Sequence, residues 1–209
     1  MPTQTSTGSP TVLKVIALTA LAILAFAGNS VLCRMALKDT SIDAASFTAV
    51  RLVSGALMLY GITRWRAQLP SGRGNWLSAL ALFAYAATFS FAYTQLSAAT
   101  GALLLFGAVQ LTMVTHGLYR GERLRAQQVA GLVLASAGLV GLMLPGFAAP
   151  PLLGATWMVL AGVAWGLYSV RGKGGGDPTR TTAGNFGRAA VMGLVLSRSE
   201  EHTSELQSP

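Results

Sequence analysis

The sequence predicts an all-α, polytopic membrane protein. Charged residues make up 11% of the 209-residue chain and hydrophobic residues 52%, with a mean hydropathy of +0.53, whereas a soluble domain carries roughly 25% charged residues. The charges are also segregated, because residues 74–119 and 126–170 contain no Asp, Glu, Lys or Arg. Each of these stretches can cross a bilayer twice, since one helix needs about 20 apolar residues. A transmembrane barrel would instead alternate polar and apolar residues, which neither stretch does.

A short charged segment, residues 120–125, separates the two uncharged stretches and should hold two helical hairpins at one water surface. With the N-terminus inside, the inner segments hold ten basic residues, which are Lys14, Arg64, Arg66, Arg73, Arg120, Arg123, Arg125, Arg171, Lys173 and Arg180. The outer loops then hold only Lys38. The positive-inside rule therefore predicts a multi-pass protein with a cytoplasmic N-terminus, and we expect it in the cell inner (plasma) membrane. The net charge of +8 is spread over span ends rather than gathered in one patch, which argues against nucleic acid as a partner.

About six and a half spans are predicted. They cover residues 12–36, 44–63, 75–96, 98–118, 126–144, 152–170 and 183–196. The first span could alternatively be a cleavable signal peptide with an A-x-A site at 25–27, but the apolar run continues to Leu32 and favours an uncleaved helix. A polar loop is expected at 37–43, with Ser41 or Asp43 as N-cap of the next helix. Spans 3 and 4 should form a tight antiparallel pair, because three residues separate them.

The two ends of the chain differ in composition from the spans. Residues 1–11 are rich in Pro, Ser and Thr and predict a disordered tail. Residues 198–209 are polar and acidic, and the run from Arg198 to Ser208 matches the translation of a short-read sequencing adapter. We interpret 198–209 as an artefactual tail on a chain that should naturally continue past Ser197. The alternative is a natural acidic tail.

An internal repeat links the first and sixth spans. Residues 25–31 align with 163–169, matching Gly28 to Gly166, and each copy is followed by an arginine just after a phenylalanine, Arg51 and Arg188. Five spans separate the copies, so the second copy should enter the membrane from the opposite side. Inverted repeats of this kind are typical of secondary transporters.

These segments resemble the EamA-type members of the drug/metabolite transporter superfamily. The resemblance rests on residues 27–30, 97–104 and 165–169, on Phe47 with Arg51, and above all on Gly121, Glu122, Arg123 and Leu124. It implies ten helices in the full-length protein, arranged as two inverted five-helix repeats. We therefore expect a first repeat at 12–146 and the start of a second at 151–197. With half of the second repeat absent, the 209-residue chain alone should be inactive in transport.

Polar residues and rings inside the spans are the candidates for solute binding, because buried polarity in a bilayer must be paired or face a cavity. The cavity candidates are Asn29, Arg51, Tyr93, Gln110, Trp165 and Tyr168. Arg51 could bind an anionic group by forked hydrogen bonds, or it could snorkel to the outer surface or pair with Asp43. The other candidates could equally serve interhelical hydrogen bonding, interfacial anchoring or core packing. His116 is a candidate for proton coupling, with a hydrogen bond to the adjacent loop as its alternative.

The function implied by the resemblance is secondary transport of small organic metabolites or drugs by alternating access, with export as the expected direction. A membrane scaffold without transport activity is the alternative, followed by an integral membrane enzyme. No acidic residue lies within a span, which argues against paired carboxylates, a nucleophile–base triad, a metal or a cofactor. The expected partners are a small-molecule solute and the lipid bilayer. Small residues on one face of span 5 (Gly131, Ala135, Gly138) leave a homodimer open.

Overall fold

The computed structural model describes residues 12–66, 72–143, 150–172 and 176–206. Within these ranges the regular structure consists of seven α-helices. They are α1 (Val12–Asp39), α2 (Ala44–Trp65), α3 (Trp76–Tyr93), α4 (Ala98–Tyr119), α5 (Ala126–Met143), α6 (Leu152–Arg171) and α7 (Pro178–Leu206). Five of the described helices, α1 to α4 and α6, are long and apolar enough to cross a membrane. The prediction of an all-α polytopic membrane protein is therefore confirmed. The predicted tail at 1–11 and most of the break at 145–151 lie outside the described residues.

Side-chain caps fix where three of the helices begin. Asp43 Oδ1 accepts hydrogen bonds from the backbone N–H groups of Ala45 (2.9 Å) and Ser46 (2.8 Å), so Asp43 rather than Ser41 is the N-cap of α2. Asn75 caps α3 and Ser97 caps α4 in the same way. We call the side of the bundle that holds the start of α2 the Asp43 end, and the opposite side, with the start of α3, the Arg73 end.

The polar loop predicted to start at residue 37 is shorter than expected. Helix α1 continues through Asp39 because Leu37 is buried in the bundle and Lys38, in the last turn, complements the helix dipole. The rest of α1 contacts the bundle little. Its buried residues all lie in its second half, and Leu13 is 73% exposed, as expected for a surface that faces lipid.

The charged segment 120–125 turns the chain between α4 and α5. Gly121 has φ +86°, a left-handed conformation that favours glycine. Its N–H donates to Leu118 O and that of Glu122 donates to Gly117 O, both at 2.9 Å. These two bonds form a Schellman motif, which satisfies the last carbonyls of α4. The Gly-Glu pair therefore has a structural role in ending this helix.

Helix α6 packs between α3 and α4. The expected tight pairing of α3 with α4 is wrong, because these two helices contact each other only sparsely while both pack extensively on α6. Glycines allow the close approach: a Cβ added at Gly162 would lie 2.5 Å from Ala108 Cβ, and one added at Gly166 would lie 2.7 Å from Thr112 Cβ. A Gly-x-x-x-Gly face of this kind lets two membrane helices pack at short range.

Helix α7 packs along α2. Phe186 lies over Gly55 and Leu52 lies beside Gly193, so each helix offers a glycine to a large side chain of the other. At the Asp43 end, Ser46 Oγ lies 3.1 Å from Ser197 Oγ. The helix is longer than the predicted 183–196, since it begins at Pro178 and continues to Leu206. Helix α7 therefore extends beyond the start of α2 by about 10 Å at 1.5 Å per residue.

Candidate functional site

Arg51 points into the bundle, toward α3. Its guanidinium carbon lies 4.9 Å from the ring centroid of the fully buried Phe89 and 5.6 Å from that of Phe47. Its Nη1 donates to Ser90 Oγ at 3.4 Å. Arg51 stands seven residues after the first residue of α2, which places its backbone about 10 Å below the Asp43 end.

Asp43 does not provide the counter-ion for Arg51. The Asp43 carboxylate instead accepts the two hydrogen bonds that cap α2, which contradicts the alternative of an Arg51–Asp43 pair. Apart from its bond to Ser90, the guanidinium stacks on rings. Ser90 is itself held by Thr48, whose hydroxyl donates to Ser90 Oγ at 2.9 Å.

Tyr85 links Asn29 of α1 to the Arg51 guanidinium. The Tyr85 hydroxyl is within hydrogen-bonding reach of both the guanidinium and the Asn29 amide, and Asn29 Oδ1 accepts a bond from Cys33 Sγ at 3.6 Å. Beside Asn29 there is open space, because a Cβ added at Gly28 would meet nothing within 4 Å. We call Asn29, Arg51, Tyr85, Phe89 and Ser90 the Arg51 cluster.

The predicted aromatic pair on α6 connects to the Arg51 cluster through Tyr85. The rings of Trp165 and Tyr168 lie 5.5 Å apart, and Trp165 also contacts Tyr85, with ring centroids 4.7 Å apart. Both α6 residues are partly buried. A row of rings therefore leads from the guanidinium along α3 and α6 toward the Arg73 end.

A second polar cluster joins α7 to the segment that enters α3, at the Arg73 end. Arg188 Nη1 donates to the carbonyls of Arg73 and Gly184, both at 2.8 Å, and its guanidinium lies 5.6 Å from the Trp76 ring centroid. The buried Asn185 accepts a hydrogen bond from the backbone N–H of Asn75 at 2.9 Å. We call Arg73, Asn75, Asn185 and Arg188 the Arg188 cluster.

Two of the predicted cavity residues lie away from the Arg51 guanidinium. Tyr93 is fully buried, stacks edge-on against Phe89 at 4.7 Å, and its hydroxyl donates to Ala98 O at 3.4 Å. Gln110 faces α5 in a groove of about 530 Å³ that Ala135 also lines. In these positions Tyr93 packs in the core and Gln110 borders the contact of α4 with α5.

His116 lies near the Arg73 end of α4 and lines a groove of about 510 Å³ along α4 and α6. The lining is mostly apolar, with Tyr119 beside it and Leu104 toward the other end. The described residues contain no group of three or more His, Cys, Asp or Glu that could hold a metal ion. The structure therefore separates His116 from the Arg51 cluster by much of the length of α4.

The sequence-based selection missed Tyr85, Phe89 and Ser90. Tyr85, Phe89 and Tyr93 stand four residues apart on α3, which places them on one helix face. This aromatic spacing was the available signal. The spacing alone does not show that an arginine of the preceding helix, α2, turns toward the same face.

A comparison with protein families finds a match over most of the chain. The model of the EamA-like transporter family matches residues 13–144. This match ends close to the predicted end of the first repeat, and it covers the Arg51 cluster together with Gly121 and Glu122.

Two relatives among curated proteins extend this comparison. An uncharacterized protein of Pseudomonas aeruginosa is 59% identical over 184 residues, which are 88% of this chain and 64% of the relative. An uncharacterized transporter of Archaeoglobus fulgidus is 29% identical over 164 residues, which are 75% of this chain and 56% of the relative. The chain thus spans less than two thirds of the length of both relatives. No solved structure matches it.

Proposed function

Because the chain belongs to the EamA-like transporter family, we propose that it forms part of a secondary transporter that moves small organic solutes, with export as the direction. Family membership favours a transporter over a scaffold or an enzyme. The observation that carries the proposal is the Arg51 cluster. A cation inside a membrane-spanning helix is costly, and no carboxylate of the described residues pairs with Arg51. Its neighbours are instead the Tyr85 phenol, which also reaches the Asn29 amide, and phenylalanine rings.

The mechanism we propose is alternating access between two repeats. The first repeat supplies α1 to α5, and α6 and α7 begin the second. The Arg51 cluster meets the second repeat where Tyr85 of α3 stacks on Trp165 of α6. A solute bound there would contact both repeats, so its binding could favour one arrangement of the repeats over the other.

The Arg188 cluster would close the transporter at the Arg73 end, which is the cytoplasmic side in the predicted orientation. It holds α7 against the start of α3 through hydrogen bonds from Arg188 and to Asn185. Rocking of the repeats toward an inward-open arrangement would have to break these bonds. In that arrangement the solute would reach the Arg51 cluster from inside.

Counterflow into proteoliposomes tests the proposed function. The full reading frame to which this chain belongs is purified, reconstituted and preloaded with unlabelled small solutes of neutral, cationic and anionic kinds, one at a time. The proposal predicts saturable uptake of the labelled form of at least one solute above that of protein-free liposomes. The proposal would be contradicted if folded, correctly inserted protein showed no trans-stimulated uptake of any of these solutes.

A further inference from the structure

Resting on the transport function proposed above, we propose that the Arg51 cluster binds the carboxylate of an organic monoanion whose apolar body lies against the surrounding rings. The proposal concerns the class of solute, which the family does not determine. Three properties of the site support it, namely its charge, its hydrogen-bond donors and its apolar walls.

The single positive charge of the site matches a ligand with one negative charge. Arg34, also near the Asp43 end, is already engaged, because its Nη1 donates to the carbonyls of Tyr93 and Thr94 at 2.6 and 3.3 Å. Arg51 supplies the positive charge of the Arg51 cluster. A monoanion would neutralise it, whereas a dianion such as a phosphate monoester would leave a net negative charge in a low-dielectric site.

The donors of the site match a carboxylate. Arginine presents a planar fork of N–H groups that binds both oxygens of a carboxylate. Arg51 has five such groups, and among the described residues its side chain interacts with two hydroxyls, those of Ser90 and Tyr85, so donors remain for a ligand. The Tyr85 hydroxyl can supply a further donor. An organic cation would meet repulsion from Arg51, and no carboxylate of the described residues pairs with the guanidinium to offset it.

The walls of the site match an apolar body. Phe47 and Phe89 flank the guanidinium at 5.6 and 4.9 Å, and Trp165 lies beyond Tyr85. Gly28 of α1, next in sequence to Asn29, borders open space, because 4 Å around an added Cβ is empty. A solute with its carboxylate on Arg51 would place its apolar part against these rings.

The test compares 3-phenylpropanoate with 3-phenylpropanamide, which have nearly the same shape and differ in charge. Binding to the purified protein from the full reading frame, in nanodiscs, is measured by isothermal titration calorimetry. We expect the acid to bind at least about tenfold more tightly than the amide, because a hydrogen bond to a charged partner stabilises more than one between neutral groups. Arg51→Gln should remove this preference, and Arg51→Lys should retain part of it, since lysine keeps the charge and loses the fork.

Arg188→Gln is the matched control, because it removes the corresponding arginine of the second repeat and should leave the preference for the acid intact. The proposal is overturned if the wild type binds acid and amide equally, or if Arg51→Gln, folded as judged by its thermal transition, still prefers the acid. Counterflow of neutral solutes without any acid preference would overturn this inference and leave the transport function standing. Acid-selective binding that depends on Arg51, with no flux of any solute, would support the inference and contradict the transport function.

Discussion

Arg51 and Arg188, which the predicted internal repeat aligns with each other, have different surroundings. Each follows a phenylalanine within a few residues and lies in the first half of its helix. Arg188 is fixed by two backbone carbonyls at 2.8 Å and a tryptophan ring. Arg51 has one longer bond, to a serine hydroxyl at 3.4 Å, and two phenylalanine rings. The same sequence pattern thus yields one arginine that holds a loop and one with hydrogen-bonding capacity to spare.

The matching glycines show the same contrast. Gly166 on α6 packs so closely on α4 that an added Cβ would lie 2.7 Å from Thr112, whereas one added at Gly28 on α1 would meet nothing within 4 Å. The surroundings of Gly166 are filled and those of Gly28 are open. A repeat predicted from the sequence therefore does not predict the contacts of its helices, because each helix meets different neighbours.

The largest expected effect comes from releasing the loop that Arg188 holds. Arg188→Ala removes two charge-assisted hydrogen bonds and the contact with Trp76, and we expect it to lower the free energy of unfolding by about 2–4 kcal/mol. Thermal unfolding in detergent measures this loss. Arg64→Ala is the control, since Arg64 is exposed and stacks on one ring alone, Tyr60. If both variants lost the same free energy of unfolding, Arg188 would contribute no more to stability than a surface arginine.

A pair of glycine substitutions sharpens the comparison of α6 with α1. Gly166→Ala forces a methyl group against Thr112 and should lower the free energy of unfolding by about 1–3 kcal/mol. Gly28→Ala adds its methyl group to open space and should be neutral or stabilising by about 0.5–1 kcal/mol, because alanine favours the helix. Thermal unfolding in detergent measures both changes in stability. A destabilising Gly28→Ala would mean that α1 packs as closely as α6.

The smallest expected effect concerns Asp43, the N-cap of α2, the helix that carries Arg51. Burial by itself would raise the pKa of the Asp43 carboxyl, but the hydrogen bonds it accepts from Ser46 and Ala45 outweigh burial and hold the pKa below its ordinary value. The stabilisation is therefore complete above the unfolded pKa and is lost as the pH falls through the folded pKa. Asp43→Ala should cost about 1 kcal/mol at neutral pH.

Asp43→Asn serves as its control, because asparagine keeps the cap and cannot ionise. Its stability should lack the acid-dependent loss that the wild type shows. Unfolding profiles recorded from neutral to acidic pH for the three proteins provide the check. A wild-type profile parallel to that of Asp43→Asn would show that the Asp43 carboxylate adds nothing to the cap.

The helices themselves could be predicted closely from the sequence. The bounds of α2, α4 and α6 differ from the predicted spans by at most two residues, because charge-free length and capping residues are local signals. The packing of α6 between α3 and α4 could not be predicted, since chain order favours neighbours in sequence. What decided it was the set of glycines on α6, whose partners become visible only in three dimensions.

The candidate site was predictable in part. Arg51 and Asn29 stood out because polar side chains are rare in membrane spans. Tyr85 and Ser90 did not stand out, because tyrosine and serine are common in such helices. Their role can be recognised only from their contacts with Arg51 in the structure. Tyr93 and Gln110 met the same criteria as Arg51, yet the rotation of their helices directs them to the core and to α5.

We propose that Arg51 contacts the solute while Arg188 holds the fold, and exchange of 3-phenylpropanoate across proteoliposomes separates these two roles. The full reading frame and its Arg51→Gln and Arg188→Gln variants are compared, with uptake expressed per folded protein. We predict that Arg51→Gln loses at least about nine tenths of the exchange while its thermal transition stays within a few degrees of the wild type. Arg188→Gln should unfold at lower temperature and, although weaker closure at the Arg73 end changes its rate, still exchange the acid in preference to 3-phenylpropanamide. Full exchange by Arg51→Gln would contradict the account.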